Sequence, residues 1–226
     1  MAAFLLLHGS GQNARCWDRV RRALEKRGDR VVAPELPKHA PDWNLRDYAA
    51  HVAAQVPGPE PVAVAHSFSG VFLPLIAEAA PLKHLVFLAA VIPEPGKSVR
   101  AQFGEDPGMF HRTWIEAGPR WFTGEQEAIA REFLFPDCDA ETLPWALGTV
   151  EMFDTRHLVV EPAPFTSWSA AATSIVATDD RTLTADWIRR TARRVLGVES
   201  VEIEAGHCPH VSQPERVAAL LHDLAA

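Results

Sequence analysis

The stretch Pro61-Val62-Ala63-Val64-Ala65-His66-Ser67-Phe68-Ser69-Gly70 decides the fold of this chain. It begins as a short apolar run typical of a buried strand, and the apolar segment 71–78 that follows has the composition of a helix. A serine between small residues at a strand-to-helix turn is the pattern of a nucleophile elbow, which exposes the hydroxyl above the sheet. Ala65 and Ser69 occupy the two crowded positions where Gly is usual, and both are small enough for the turn. The stretch therefore predicts a nucleophilic Ser67, the alternative being a strand–helix turn without chemistry.

Apolar strand-like runs alternate with helical runs on both sides of this stretch. The predicted strands are residues 3–7, 30–33, 61–65, 85–89, 174–177 and 201–204, and the predicted helices are residues 14–27, 45–55, 68–79, 185–194 and 214–224. Short strands separated by helices pair in parallel through right-handed crossovers. Phe4-Leu5-Leu6-Leu7 and Leu85-Val86-Phe87-Leu88 are continuously apolar, as strands covered on both faces are. The pattern predicts an α/β fold with a mostly or wholly parallel sheet of about six strands and flanking helices.

The alternation breaks between residues 93 and 172, where the sequence shows no clear strand. This segment holds four of the seven tryptophans and seven of the eleven phenylalanines. Helix-like stretches at residues 125–133 and 140–147 are separated by Pro and Gly. We expect a helical lid over the carboxyl edge of the sheet, with most of its aromatic side chains in its own small core and a few lining an apolar pocket. The predicted organisation is a core of residues 1–92 and 173–226 with the lid (residues 93–172) inserted.

The composition limits the partners and the location of the chain. Its 226 residues, net charge of −7 and 47% hydrophobic content fit one large domain or a domain with an inserted lobe. An acidic chain without a basic run is not expected to bind nucleic acid or a membrane, and no segment approaches the ~20 apolar residues of a membrane span. Three scattered cysteines argue against a disulfide framework. Together with the lack of a signal peptide before the first strand, they predict a cytoplasmic location.

Polar groups follow four of the predicted strands, at the edge where open parallel sheets place their active sites. In chain order they are the loop His8-Gly9-Ser10-Gly11, then Ser67, the pair Asp179-Asp180, and Gly206-His207. A serine, an acid and a histidine in this order match the order of a hydrolase triad. A serine hydroxyl needs a base to act as a nucleophile at neutral pH, so His207 is the expected base and Asp180 the residue that orients it. The backbone N–H groups of Ser10 and Phe68 are the expected oxyanion hole.

Asp180 and His207 each have a rival nearby in the sequence. Asp179 precedes Asp180, and adjacent side chains point in different directions; we favour Asp180 as the partner of the histidine. His210 lies three residues after His207. We favour His207 because it directly follows Gly206 at the strand end, whereas His210 lies nearer the last helix.

The sequence predicts neither a metal nor a cofactor. His207-Cys208-Pro209-His210 contains three potential metal ligands, but no CxxC, HExxH or distant ligand pair accompanies it. The loop His8-Gly9-Ser10-Gly11 lacks the spacing of a phosphate-binding fingerprint. Cys208 is expected to be a small filler beside the histidine, and His8 is expected to brace its loop by hydrogen bonding.

With these residues in place, the chain resembles the α/β-hydrolase superfamily over nearly its full length. Its opening, Leu5-Leu6-Leu7-His8-Gly9, is similar to that of a branch containing plant methylesterases, hydroxynitrile lyases and small bacterial carboxylesterases. The serine stretch is similar to the Gly-His-Ser-x-Gly-Gly of that branch. Further similarity covers Phe135-Pro136-Asp137-Cys138, Asp180-Arg181 and residues 205–210. The resemblance implies an α/β-hydrolase fold and a small bacterial esterase that uses a Ser-His-Asp triad without a cofactor.

The resemblance also bears on the reaction. In the lyases of this branch a threonine follows the first-loop histidine and a lysine follows the catalytic histidine; here those positions are Gly9 and Cys208, which disfavours cyanohydrin cleavage. We therefore expect a serine carboxylesterase that cleaves a small apolar or aromatic ester through an acyl-enzyme intermediate. A thioesterase, a lactonase or cyclase, a hydroxynitrile-lyase-like enzyme and a non-catalytic small-molecule-binding module are the alternatives. The oligomeric state is left open, a homodimer included.

Overall fold

The computed structural model describes residues 1–168 and 170–225, and its centre is a six-stranded sheet. The strands are β1 (Ala3–Leu7), β2 (Arg30–Val32), β3 (Val62–Ser67), β4 (His84–Ala90), β5 (Ala171–Ala177) and β6 (Val201–Ile203). Their order is β2-β1-β3-β4-β5-β6, and every neighbouring pair is parallel. The predicted parallel sheet of six strands is confirmed. β5 begins at Ala171 rather than Ser174, so the last residues of the predicted lid belong to the sheet.

The strand order explains where a crevice forms. From β1 the chain moves to one side to form β2, and it then crosses back to add β3 on the other side of β1. The connections after β1 and β3 therefore leave the sheet in opposite directions, which opens a crevice outside their carboxyl ends. His8 follows β1 directly and Ser67 ends β3, so both border this crevice.

Ten α-helices are present in the described part of the chain. They are α1 (Asp18–Glu25), α2 (Leu45–Ala53), α3 (Leu73–Ala79), α4 (Val99–Glu105), α5 (Arg112–Ala117), α6 (Gln126–Ile129), α7 (Thr142–Leu147), α8 (Ala185–Thr191), α9 (Pro209–Ser212) and α10 (Pro214–Ala225). Three predicted helices are each divided. The chain enters α1 and α3 through 3₁₀ turns at Ala14–Trp17 and Phe68–Phe72, and it leaves α8 through a π-turn at Ala192–Leu196.

Alternate residues of the strands face two helix layers, which is why the strands are apolar throughout. On β1, Leu5 belongs to the same buried cluster as Tyr48 of α2. Its neighbour Phe4 belongs to the cluster on the other face, with Leu24 of α1 and Leu221 of α10. Burial of apolar surface on both faces supplies most of the stabilisation of such a sheet, at about 25 cal/mol per Å².

The lid contains α4 to α7 and short 3₁₀ segments between β4 and β5. The helix predicted at residues 125–133 is α6 followed by a π-turn at Ala130–Leu134, and the one predicted at residues 140–147 is α7. Isolated antiparallel bridges join the lid to the core at Gln12 with Val150 and at Phe110 with Leu183. In residues 1–168 and 170–225, none of the helices combines the length and the apolar character that crossing a membrane requires.

Candidate active site

Ser67 lies at the turn between β3 and the helical segment after it, in a strained backbone conformation. Its φ of 57° is in the left-handed region that non-glycine residues rarely adopt, and the pairing of β3 with β4 shifts register there. Gly70 permits the close approach of the two chain segments, because a Cβ at this position would overlap the carbonyl oxygen of Val91. The turn places Ser67 in the lining of a cavity above the sheet.

The two positions where glycine is usual are occupied by small, fully buried side chains. Ala65 is fully buried within β3. Ser69 is also fully buried, and its hydroxyl donates a hydrogen bond of 2.5 Å to the backbone carbonyl of His8. Since a buried hydroxyl without a partner is costly, this bond stabilises the turn. It also ties the serine turn to the loop after β1.

The structure brings Ser67, His207 and Asp180 together at the carboxyl edge of the sheet. The Oγ of Ser67 lies 3.0 Å from the Nε2 of His207, and the Nδ1 of His207 lies 2.7 Å from the Oδ2 of Asp180. The side chains of His207 and Asp180 are 3% and 0% exposed. Because the carboxylate is an acceptor, Nδ1 carries the ring proton and the lone pair of Nε2 faces the serine hydroxyl. The arrangement is suited to transfer a proton from the serine to the imidazole.

The rival acid and the rival histidine lie elsewhere. Asp179 is exposed, and its side chain borders a polar surface depression rather than the cavity. Its N–H donates to the carbonyl of Ala205 at 3.0 Å. His210 is fully buried with its ring 4.4 Å from the rings of Trp17 and His66. Within the described residues, neither side chain hydrogen-bonds to the serine or to its histidine partner.

The loop after β1 is held by hydrogen bonds of His8. The Nε2 of His8 accepts the N–H of Leu36 at 3.1 Å, so Nδ1 carries the ring proton and donates to the Gly9 carbonyl at 2.9 Å. The C=O and N–H of a trans peptide point in opposite directions, so these bonds also fix the direction of the Ser10 N–H. Ser10 and Phe68 both line the cavity. His8 therefore braces this loop, as the sequence suggests.

The lid holds the loops that carry these groups. Three hydrogen bonds, one to each loop, illustrate this. The Phe153 N–H donates to the Ser10 carbonyl at 2.9 Å, the His111 N–H to the Thr182 carbonyl at 2.9 Å, and the Gly206 N–H to the Asp137 carboxylate at 2.8 Å. They act on the loop after β1, the loop of the acid and the loop of the histidine respectively. The lid is therefore part of the framework of the site as well as its cover.

The cavity beside Ser67 has a volume of about 380 Å³ and a mostly apolar lining. Six aromatic side chains of the lid contribute to it: Phe103, Phe110, Trp114, Trp121, Phe122 and Phe153. Six lining aromatic side chains are more than the few expected from the sequence. Trp145 and Trp168 pack elsewhere, against Arg19 and Phe165 respectively. Two charged side chains in the lining, Asp154 and Arg156, form an ion pair with each other at 2.7 Å. The cavity is therefore suited to an uncharged, apolar group.

Two further buried imidazoles, those of His66 and His210, lie close to His207. The ring of His66 is 4.6 Å from that of His207 and 4.4 Å from that of His210. Burial lowers the pKa of His210 to about 3 and the pKa of His66 well below its usual range, helped in both cases by the neighbouring histidines. Burial raises the pKa of the Cys208 thiol well above its usual range. These three side chains are therefore uncharged at neutral pH.

One group of described side chains has potential metal ligands close together. The ligand atoms of His66, Cys208 and His210 all lie within 4.8 Å of one another. The Nε2 of His66, however, donates to the backbone carbonyl of His207 at 2.9 Å and so carries the ring proton. Metal binding through this nitrogen and the Cys208 sulfur would require the loss of both protons. Packing accounts for the group, and the absence of a metal stays a prediction.

Thr182 belongs to the site and was not identified from the sequence. Its Oγ1 lies 2.8 Å from the Nδ1 of His207 and 3.0 Å from the Oδ1 of Asp180. The Oδ1 of Asp180 also accepts the Thr182 N–H at 2.7 Å. An aspartate that accepts the N–H two residues later is a common local turn, so the spacing Asp180-x-Thr182 is the signal that was available.

Comparisons with known proteins agree with this fold. The model described as "Alpha/beta hydrolase family" matches residues 4–220. A probable esterase of rice (Oryza sativa subsp. indica) is 38% identical over 107 residues, which cover 42% of this chain and 41% of that protein. Methylesterase 7 of Arabidopsis thaliana is 26% identical, with 98% of this chain and 95% of that protein covered. The crystal structure of a pyrethroid hydrolase from Sphingobium faniae matches with a TM-score of 0.75 and 22% identity over 99% of this chain and 97% of that chain.

Proposed function

We propose that this chain, which belongs to the alpha/beta hydrolase family, is a serine carboxylesterase acting on a small, uncharged carboxylic ester. The observation that carries the proposal is the hydrogen-bonded series Ser67, His207 and Asp180, with distances of 3.0 and 2.7 Å, beside an apolar cavity. The similarity to proteins named as an esterase and a methylesterase supports a carboxylesterase-type hydrolase.

In the proposed reaction, the Oγ of Ser67 attacks the carbonyl carbon of the ester. The Nε2 of His207 accepts the serine proton, and the Asp180 carboxylate stabilises the imidazolium that forms. The imidazolium then donates that proton to the alkoxy oxygen, so that the alcohol leaves and the acyl group remains on Ser67. A water that gives its proton to His207 attacks the acyl carbon. The bond between the acyl carbon and the Ser67 Oγ then breaks, and the imidazolium returns its proton to that oxygen, so the carboxylic acid leaves and the serine hydroxyl is restored.

The oxyanion that develops in both steps needs fixed hydrogen-bond donors. The proposed donors are the N–H groups of Ser10 and Phe68, since Phe68 begins the helical segment directly after Ser67. The hydrogen bonds of His8 and the lid contact of Ser10 keep the first donor in place before substrate binds. Donors that need no reorganisation during the reaction give the greatest stabilisation, and one of them is typically worth about 10²–10³ in rate.

The cavity indicates the substrate class. A volume of about 380 Å³ with six aromatic side chains favours a small ester with an apolar or aromatic group. A charged substrate is disfavoured, because Asp154 and Arg156 already neutralise each other in the lining. Transfer of an unpaired charge into such a cavity is costly.

The same triad fits other acyl transfers, and the lyase alternative is the least compatible with the structure. A Cβ at Gly9 would lie 2.9 Å from both the Nδ1 of His66 and the Cβ of Ser67. A threonine at this position, which a hydroxynitrile-lyase-like enzyme carries, would not fit without movement of the serine turn. Thioesters and lactones follow the same acyl-enzyme route as esters, so only a substrate comparison separates those activities.

Substitution of Ser67 tests the proposal. Ser67→Ala should remove the turnover of p-nitrophenyl butyrate, lowering kcat by about 10⁴-fold or more, because the nucleophile and its acyl intermediate are lost. Circular dichroism should show an unchanged fold. Ser200→Ala is the matched control and should retain wild-type turnover. Ser200 directly precedes β6, so it lies at the amino end of that strand, whereas Ser67 lies at the carboxyl end of β3. Wild-type turnover in the Ser67 variant would reject the assignment.

A further inference from the structure

Thr182 lies between Asp180 and His207 and is 2% exposed. Its Oγ1 has three polar neighbours within hydrogen-bond distance: the His207 Nδ1 at 2.8 Å, the Asp180 Oδ1 at 3.0 Å and the Leu183 N at 2.7 Å. A threonine hydroxyl has one proton to donate and two lone pairs to accept with. All of its hydrogen-bonding capacity is therefore used by these three neighbours.

The neighbours determine which group donates. The Leu183 N–H can only donate, and the Nδ1 of His207 carries a proton because it faces the Asp180 carboxylate. These two donors occupy the lone pairs of the hydroxyl, so the hydroxyl proton is directed to the carboxylate. The Nδ1 proton of His207 is consequently shared between the Asp180 Oδ2 at 2.7 Å and the Thr182 Oγ1 at 2.8 Å.

The same loop anchors one oxygen of the carboxylate. The Oδ1 of Asp180 accepts the N–H groups of Thr182 at 2.7 Å and Leu183 at 3.2 Å in addition to the Thr182 hydroxyl. The Oδ2 is left to face His207. The acid is thus held in one orientation by bonds from its own loop, and the threonine side chain connects that loop to the imidazole.

We propose that Thr182 is a positioning residue that sets the orientation of Asp180 and His207 through its hydroxyl. When His207 takes the serine proton, the Nδ1–H of the imidazolium keeps both acceptors, the Asp180 carboxylate and the Thr182 hydroxyl. In a buried site this stabilises the cation more than the neutral ring, because hydrogen bonds to charged groups are stronger there. The effect on rate rests on the function proposed above, whereas the hydrogen-bond assignment rests on the geometry alone.

Three variants test this role. Thr182→Val keeps the shape and removes the hydroxyl, so it should lower kcat for p-nitrophenyl butyrate by about tenfold to a hundredfold with KM nearly unchanged. Thr182→Ser keeps the hydroxyl and should retain most of the wild-type kcat. Thr191→Val makes the same chemical change at a buried threonine of α8, away from the site, and should leave kcat unchanged. If the valine variant does not fold, Thr182→Ala should show the same loss as expected for valine.

A spectroscopic measurement separates positioning from packing. The far-downfield proton resonance of the His207 Nδ1–H should change position in the valine or alanine variant and stay in place in Thr182→Ser and Thr191→Val. This measurement needs no turnover, so it tests the role of Thr182 even if the chain proves not to hydrolyse esters. The proposal would be overturned if Thr182→Val kept the wild-type kcat and resonance. It would also be overturned if Thr182→Ser lost as much activity as Thr182→Val, because the methyl group would then be responsible.

Discussion

Acidification should destabilise the folded chain through two buried imidazoles. His66 and His210 are 1% and 0% exposed, and burial lowers the pKa of His210 to about 3 and the pKa of His66 well below the ordinary value of 6.5. His210 stays neutral in the folded chain at about pH 5, whereas the unfolded chain binds a proton there, and the lowered pKa of His66 acts in the same direction. The free energy of unfolding is therefore fully retained above pH 6.5 and decreases as the pH falls from 6.5 toward 3.

The size of the effect follows from linkage. At about pH 5, about 1.5 pH units below the ordinary histidine value, the buried His210 imidazole lowers the free energy of unfolding by about 2 kcal/mol, since one unit corresponds to about 1.4 kcal/mol. The loss from His210 alone is therefore about 2 kcal/mol, and His66 adds to it in the same direction because burial also lowers its pKa. This is a large share of the roughly 5–15 kcal/mol that stabilises a typical domain.

His210→Phe removes the contribution of His210 to this effect. In the part of the chain that the structure describes, neither ring nitrogen of His210 has a hydrogen-bond partner. Its ring lies 4.4 Å from that of Trp17, a contact that phenylalanine keeps. Urea unfolding at about pH 7.5 and about pH 5 should show that the variant loses about 2 kcal/mol less than the wild type on acidification. His39→Gln, which removes an exposed imidazole, should behave as the wild type. An identical pH dependence in His210→Phe and the wild type would refute the reasoning.

Two further predictions concern the acid and the serine turn. Asp180→Asn should lower kcat in ester turnover assays by about 10⁴-fold, because the amide favours the wrong histidine tautomer. Asp179→Asn, at the exposed neighbour, should leave kcat close to the wild-type value. The reverse result would show that Asp179, and not Asp180, is the partner of His207. Gly70→Ala should lower the free energy of unfolding by about 3 kcal/mol in urea titrations, because the added Cβ overlaps the Val91 carbonyl. Gly104→Ala has open space around it in α4 and should not be destabilising; equal stability of the two variants would contradict the packing argument.

The sheet and the convergence of the three side chains could be predicted because both depend on strong local signals. Buried parallel strands are uniformly apolar, so Phe4-Leu5-Leu6-Leu7 and Leu85-Val86-Phe87-Leu88 were identifiable without a structure. Parallel strands also bring their carboxyl ends to one edge, which predicts that Ser67, Asp180 and His207 lie close together. The chain order Ser67, Asp180, His207 is that of a hydrolase triad, so it favours a serine hydrolase.

The interactions between loops could not be predicted, because they depend on how the backbone turns after each strand. In the sequence, Ser69 is only a departure from the usual glycine, whereas in the structure its hydroxyl donates to the His8 carbonyl on another loop. The role of Thr182 likewise follows from a turn that brings its side chain back to His207. The sequence also does not show which aromatic side chains of the lid face the cavity, because an irregular segment has no periodicity from which to assign a buried side.

The segmentation of the helices was a further difference, and it has local causes. Pro74 lies in the first turn of α3, and the chain reaches it from the serine turn through a 3₁₀ segment. After α8, a π-turn ends at Gly197 with a φ of 70°, a conformation that glycine adopts without strain. Hydrophobic periodicity locates such helices, but it does not resolve how their ends are wound.

The most direct test of the account is whether Ser67 is an activated nucleophile. The wild-type chain would be incubated with a fluorophosphonate probe, and the adduct would be located by mass spectrometry of peptides. One adduct is expected, on the peptide that contains Ser67, with little labelling in His207→Ala because the base is lost. No adduct on the folded wild-type chain, or an adduct on a different serine, would contradict it.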